Sequence, residues 1–141
     1  MKVKQVYRDP CAMLEALAKQ QTKRNIYFLD VELKHPEYDG FLLGREIRKI
    51  DPNGTIVYIT SFKDLAYKTF QYHIEAFDYI VKDTQEQLHT SISECLQSII
   101  QRLKDETKIL LRALRVKVEI NCAIFPLMIF ITLKHQRVLT M

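Results

Sequence analysis

Apolar and polar positions alternate along this chain in two rhythms. Short apolar runs without internal alternation read as strands covered on both faces. Between them, apolar residues recur at spacings of three and four, which reads as helix. "VKQVYR" (3–8) predicts a first strand. Asp9 and Pro10 then start a helix, Asp as the N-cap and Pro at the first helical position. Met13, Leu14, Leu17 and Ala18 give that helix its apolar side. "NIYFLDVEL" (25–33) predicts the second strand and "HPEYDG" (35–40) a loop. "FLLGREIRKI" (41–50) is a helix stopped by "DPNG" (51–54), since Pro52 cannot continue it and Gly54 tolerates a turn. "TIVYIT" (55–60) is the third strand, and 61–76 is expected as a helix with Leu65, Ala66, Thr69, Phe70 and His73 on one side. "FDYIVK" (77–82) is the fourth strand. The helix over 86–104 carries the clearest stripe: Leu88, Ile92, Leu96, Ile99 and Leu103.

Strands alternating with helices imply right-handed βαβ units and a parallel sheet with helices on both faces. Beyond about residue 105 the pattern decays. "ILLRALRVKVEI" fits helix or strand, and "IFPLMIFITL" (124–133) favours strand through its aromatic and β-branched residues.

Composition narrows the class. The 141 residues suggest one domain with a tail, and 48% apolar content is enough for a core. A net charge of +4 is too mild to argue for nucleic acid. Cys11, Cys95 and Cys122 are odd in number and widely spaced, which suits reduced thiols in a cytoplasmic protein. The N-terminus has no apolar leader, and the longest apolar run, 122–133, is too short to span a bilayer. His35, His73, His89 and His135 lack ligand spacing with cysteine or with one another and read as surface or helix-face residues. No Gly-rich phosphate loop is present, which argues against a nucleotide site.

The candidate chemistry lies at strand ends. In an open parallel sheet, ligands gather at the carboxyl ends of the strands. The second strand ends in Asp30, the third in Thr60 and Ser61, the fourth in Lys82. A carboxylate among apolar neighbours is rarely kept without a partner. A carboxylate, a hydroxyl and an ammonium converging on one spot suit phosphoryl acceptance: the carboxylate attacks, and the other two hold the new phosphoryl oxygens.

The segments "FLDVEL", "VYITS" and "FDYIVKD" resemble, in order and spacing, the receiver domain of bacterial two-component response regulators. The resemblance covers residues 3–104 and implies a CheY-like, flavodoxin-like α/β fold. It implies that Asp30 is the phospho-acceptor, Lys82 the phosphate partner, and Thr60 with Tyr79 the switch pair. It also implies a Mg²⁺ held by Asp30 and the backbone carbonyl of Glu32. A sensor histidine kinase and a second receiver are the implied partners, in a signalling protein rather than an enzyme. "IRKIDPNGTIVYITS" and "KTFQYHIEAFDYIVKD", with Asp83 after the lysine, resemble the AgrA/ComE-like branch. There a LytTR-type DNA-binding domain follows and serves pheromone or bacteriocin genes.

Two departures from that pattern shape the expectations. The chain starts at what matches the family's second strand, so the first strand and helix, with their acidic pair, are expected to be missing. Upstream of Asp30 only Asp9 and Glu15 are acidic. Mg²⁺ is therefore expected to bind weakly or not at all. The sheet would also lack its central strand, leaving two rows of backbone groups unpaired. Either "VKQVYR" closes against "IYFLDV", or 124–133 inserts as a substitute. Residues 1–104 are expected to form a truncated receiver, and 105–141 a linker with a remnant of the output domain or a disrupted tail. DNA would be reached only through an intact output domain, which these residues are too few to form, and no membrane contact is expected. The alternative reading is a phosphorylation-independent module that pairs with an intact regulator. A hydrolase using Asp30 has little support, because no general base is placed beside it.

Overall fold

The computed structural model describes residues 2–20, 24–106 and 128–132. In chain order these form β1 (Lys2–Tyr7), α1 (Pro10–Ala18), β2 (Asn25–Leu29), α2 (Gly40–Ile50) and β3 (Thr55–Thr60). A 3-10 turn (Lys63–Leu65) and α3 (Lys68–Gln71) follow, then β4 (Asp78–Val81), α4 (Gln85–Glu106) and β5 (Met128–Thr132).

The strands form one sheet in the order β1-β5-β2-β3-β4. β2 pairs in parallel with β3, and β3 with β4, as the strand–helix alternation demands. β5 lies between β1 and β2 and runs antiparallel to both. The expected parallel sheet is present in β2, β3 and β4, and β5 makes the whole sheet mixed. Of the two ways to close the sheet, insertion from the C-terminal apolar segment is the one adopted. Its physical reason is backbone satisfaction: without β5, the facing edges of β1 and β2 would present unpaired N–H and C=O groups inside the molecule.

Side-chain alternation divides the core in two. Tyr27, Leu29, Ile56 and Tyr58 meet Met13 and Leu17 of α1 and Phe41, Leu43 and Ile47 of α2. Ile26, Phe28, Val57 and Ile59 face the other way, onto Leu88, Ile92, Cys95, Leu96 and Ile99 of α4. Asp9 caps α1 as expected, its carboxylate accepting from the Cys11 N–H. Asp39 caps α2 by accepting from the Leu42 N–H at 2.8 Å.

At the amino edge of the sheet, Asp51 is buried. It accepts from the Asn25 N–H at 2.9 Å and from the Tyr27 hydroxyl at 2.7 Å, tying the end of α2 to the start of β2. Arg48 donates to the carbonyls of Ile74, Pro52 and Gly54, which fixes the segments entering β3 and β4.

The segment 61–76 departs from expectation. It is a 3-10 turn and a single-turn helix instead of one long helix, and His73 and Glu75 sit at positive φ. Phe70, expected on the packed side, is 82% exposed.

Candidate functional site

The site is built at the carboxyl edge of the parallel strands. β2 and β3 pair with Leu29 beside Tyr58, so Asp30 leaves the sheet where β3 is about to end. β3 and β4 pair with Thr60 beside Val81, and the Lys82 N–H donates to the Thr60 carbonyl at 2.8 Å. The sheet register alone thus brings Asp30, Thr60 and Lys82 to one edge, although 52 residues separate the acid from the amine.

The contact is direct. Lys82 Nζ donates to Asp30 Oδ2 at 2.5 Å. Asp30 is only 5% exposed, so this ion pair is largely sheltered from water. The second oxygen, Oδ1, accepts from the Glu32 N–H at 3.1 Å, which curls the chain back around the carboxylate. The peptide after Asp30 is clamped by α2. Gly40 donates its N–H to the Val31 carbonyl at 2.8 Å, and a Cβ at Gly40 would fall 2.1 Å from the Asp30 carbonyl oxygen. Only glycine permits that approach.

Thr60 is fully buried, and its hydroxyl oxygen accepts from the Phe62 N–H at 3.3 Å. Tyr79, level with Tyr58 in the pairing of β3 and β4, donates its hydroxyl to the Phe62 carbonyl at 2.5 Å. The β3–α3 loop is thus held by both expected switch residues. Burial pushes the Tyr79 phenol up from its ordinary value, and the negative charges of Asp30 and Asp64 add to this. It therefore remains a neutral hydrogen-bond donor at physiological pH.

Two features escaped the sequence reading. Tyr58 sits fully buried with its hydroxyl on the Gly40 carbonyl at 2.9 Å. Asp9, Cys11 and His35 also converge, with ligand-capable atoms within 4.8 Å of one another. There His35 Nδ1 accepts from the N–H groups of Glu37 and Tyr38, and its Nε2 lies 3.9 Å from Asp9 Oδ1. Spacing could not show the convergence, because it depends on β1 and β2 ending at the same edge.

A fold with its chemistry at this edge, carried by an acid, an alcohol and an amine on consecutive parallel strands, defines a class. The chain belongs to the response regulator receiver domain family, whose profile matches residues 1–93. Within that family it is 42% identical over 96 residues to accessory gene regulator protein A of Staphylococcus aureus, covering 68% of this chain and 40% of the relative. The Staphylococcus epidermidis counterpart is 41% identical over the same extent. Among solved structures, the response regulatory domain of protein mrkE from Klebsiella pneumoniae superposes with a TM-score of 0.55 at 32% identity, over 70% of this chain and 73% of that one. The match spans 40% of the length of these curated relatives. Among the described residues, no helix is long and apolar enough to cross a membrane.

Proposed function

We propose that Asp30 is the phospho-acceptor of this receiver and that Lys82 and Thr60 hold the phosphoryl group it receives. The donor is a sensor histidine kinase. A carboxylate oxygen of Asp30 attacks phosphorus, the bond from phosphorus to the donor breaks, and an acyl phosphate remains on the aspartate. The Lys82 ammonium then shifts from the carboxylate to the phosphoryl oxygens, and the Thr60 hydroxyl donates to another. Thr60 releases the Phe62 N–H as it turns, which frees Tyr79 to follow. The observation that carries this reading is the sheltered Asp30–Lys82 pair at the carboxyl edge.

The cation implied by the family fits these residues poorly. Mg²⁺ asks for six oxygens in near-octahedral geometry. One Asp30 oxygen faces the Lys82 ammonium and the other an amide N–H. Among the described residues, Asp30 belongs to no group of three metal-capable side chains. With the Glu32 carbonyl as the remaining protein ligand, Mg²⁺ binds weakly, and Lys82 is the main positive charge available to the transition state.

Control of transcription in a pheromone-type system, through a DNA-binding output domain, fits the resemblance to the accessory gene regulators. A second receiver is the natural partner for the side carrying α3, where Phe70 is 82% exposed and Tyr67 54%.

The test is phosphoryl labelling by acetyl phosphate with Mg²⁺, followed by intact mass. Labelling should be slow and partial, and absent in Asp30→Asn. Rapid stoichiometric labelling would show that a full carboxylate cradle for Mg²⁺ is not needed. Label that persists in Asp30→Asn would move the acceptor elsewhere.

A further inference from the structure

We propose that Tyr58 is a positioning residue that couples the loop following Asp30 to the ring of Tyr79. This rests on reading Tyr79 as the switch residue. Tyr58 lies two residues before Thr60 on β3, so both side chains project to the same face of the sheet. The Tyr58 side chain is fully buried and spans the space between two functional parts.

At one end, its hydroxyl donates to the Gly40 carbonyl at 2.9 Å. Gly40 is the residue whose N–H holds the Val31 carbonyl and whose bare Cα lies against the peptide of Asp30. The hydroxyl has little freedom to leave. One turn further along α2, a Cβ at Gly44 would lie 2.2 Å from it, so α2 encloses the hydroxyl with two glycines. Burial also pushes the phenol far above its ordinary value, which keeps it protonated and donating. At the other end, the Tyr58 ring meets the Tyr79 ring, with centroids 6.1 Å apart at a 45° tilt. Phe41 of α2 backs it from a third side at 5.3 Å.

These contacts tie the Tyr58 side chain to α2 at one end and to the Tyr79 ring at the other. A swing of Tyr79 toward Thr60 passes this ring, and the ring is linked through Gly40 to the peptide that follows Asp30. A displacement of the 31–40 loop moves Gly40, and Gly40 moves Tyr58. Tyr79 thus receives two signals, one through Thr60 and one through Tyr58. Packed rings in a dense core transmit such shifts because no free volume absorbs them.

The experiment uses the full chain carrying 3-fluorotyrosine at position 79, with amide hydrogen exchange read at Gly40. Tyr58→Phe keeps the ring and removes the pin. The coupling predicts faster exchange at Gly40 together with a shifted or split fluorine signal from residue 79. Faster exchange with an unchanged fluorine signal would overturn it, because the hydroxyl would then serve α2 alone. Tyr79→Leu supplies a second route should Tyr58→Phe fold poorly. It removes the ring that Tyr58 meets, so Gly40 exchange must change as well. No change there would also overturn it. Prolonged labelling with acetyl phosphate separates this inference from the phospho-acceptor reading. A chain that never labels with acetyl phosphate, yet whose fluorine signal answers to Tyr58→Phe, leaves the coupling standing and removes the phosphoryl switch.

Discussion

At Cys95 the surroundings of one side chain set its chemistry. The thiol is buried between α4 and the sheet, and its ionisation is pushed up to about 12, by burial first and by Asp78 second. The ordinary value is 9.0, so between these limits the folded chain keeps a proton that the unfolded chain releases. Stability from this group is therefore complete below about pH 9 and is lost as the pH rises toward 12, at about 1.4 kcal/mol per pH unit for one group. Tyr27 and Tyr58 are raised as well and act in the same direction at higher pH. Urea unfolding between pH 9 and 11 should show Cys95→Ala losing stability less steeply than the parent. Equal slopes would mean that the thiol titrates freely in the fold. The same scale shows what sequence conveys about a site. Asp30, Thr60 and Lys82 were legible because each polar residue closes an apolar strand, where burial makes a lone polar group costly. Asp39, Asp51 and Tyr58 were not. Asp39 looked like loop, Asp51 like a helix stop, and Tyr58 like core, and in each case the role comes from a partner brought by another element: Leu42, Asn25 with Tyr27, and Gly40.

Among the elements, α4 and β3 follow their patterns closely, since a long stripe or an unbroken β-branched run leaves one reading. The segment 61–76 does not. Its spacing suits a helix, yet the chain has to return promptly to β4, and it does so through positive-φ residues at His73 and Glu75, which end the helix at Gln71. Local pattern could not reveal that return, nor the direction in which β5 would run. β5 pairs with strands more than a hundred residues earlier, and the unpaired edges of β1 and β2, with the apolar run 124–133, hinted that a strand was wanted. The energetic role of β5 can be tested. Phe130 pairs with Gln5 on one side and with Tyr27 on the other. Phe130→Pro removes a ladder donor from an interior strand, and each buried backbone group left unpaired costs about 1–3 kcal/mol. The expected outcome is a clear fall in the thermal midpoint. An unchanged midpoint would show that β5 adds nothing to the sheet.

For the whole molecule, the two edges of the sheet carry different kinds of contact. At the amino edge, Asp51 and Arg48 lock turns together with hydrogen bonds. At the carboxyl edge, an acid and an amine are held together in a site that only the folded register creates. Breaking a buried pair leaves an uncompensated charge, so each partner is worth more in the presence of the other. The measurement that tests this most directly is a double-mutant cycle on unfolding free energy with Asp30→Asn, Lys82→Met and the pair. The two substitutions together should cost less than the sum of the singles, by about 1–3 kcal/mol. Additivity within about 0.5 kcal/mol would mean that the two side chains do not meet, and the phospho-acceptor site would lose its geometric basis.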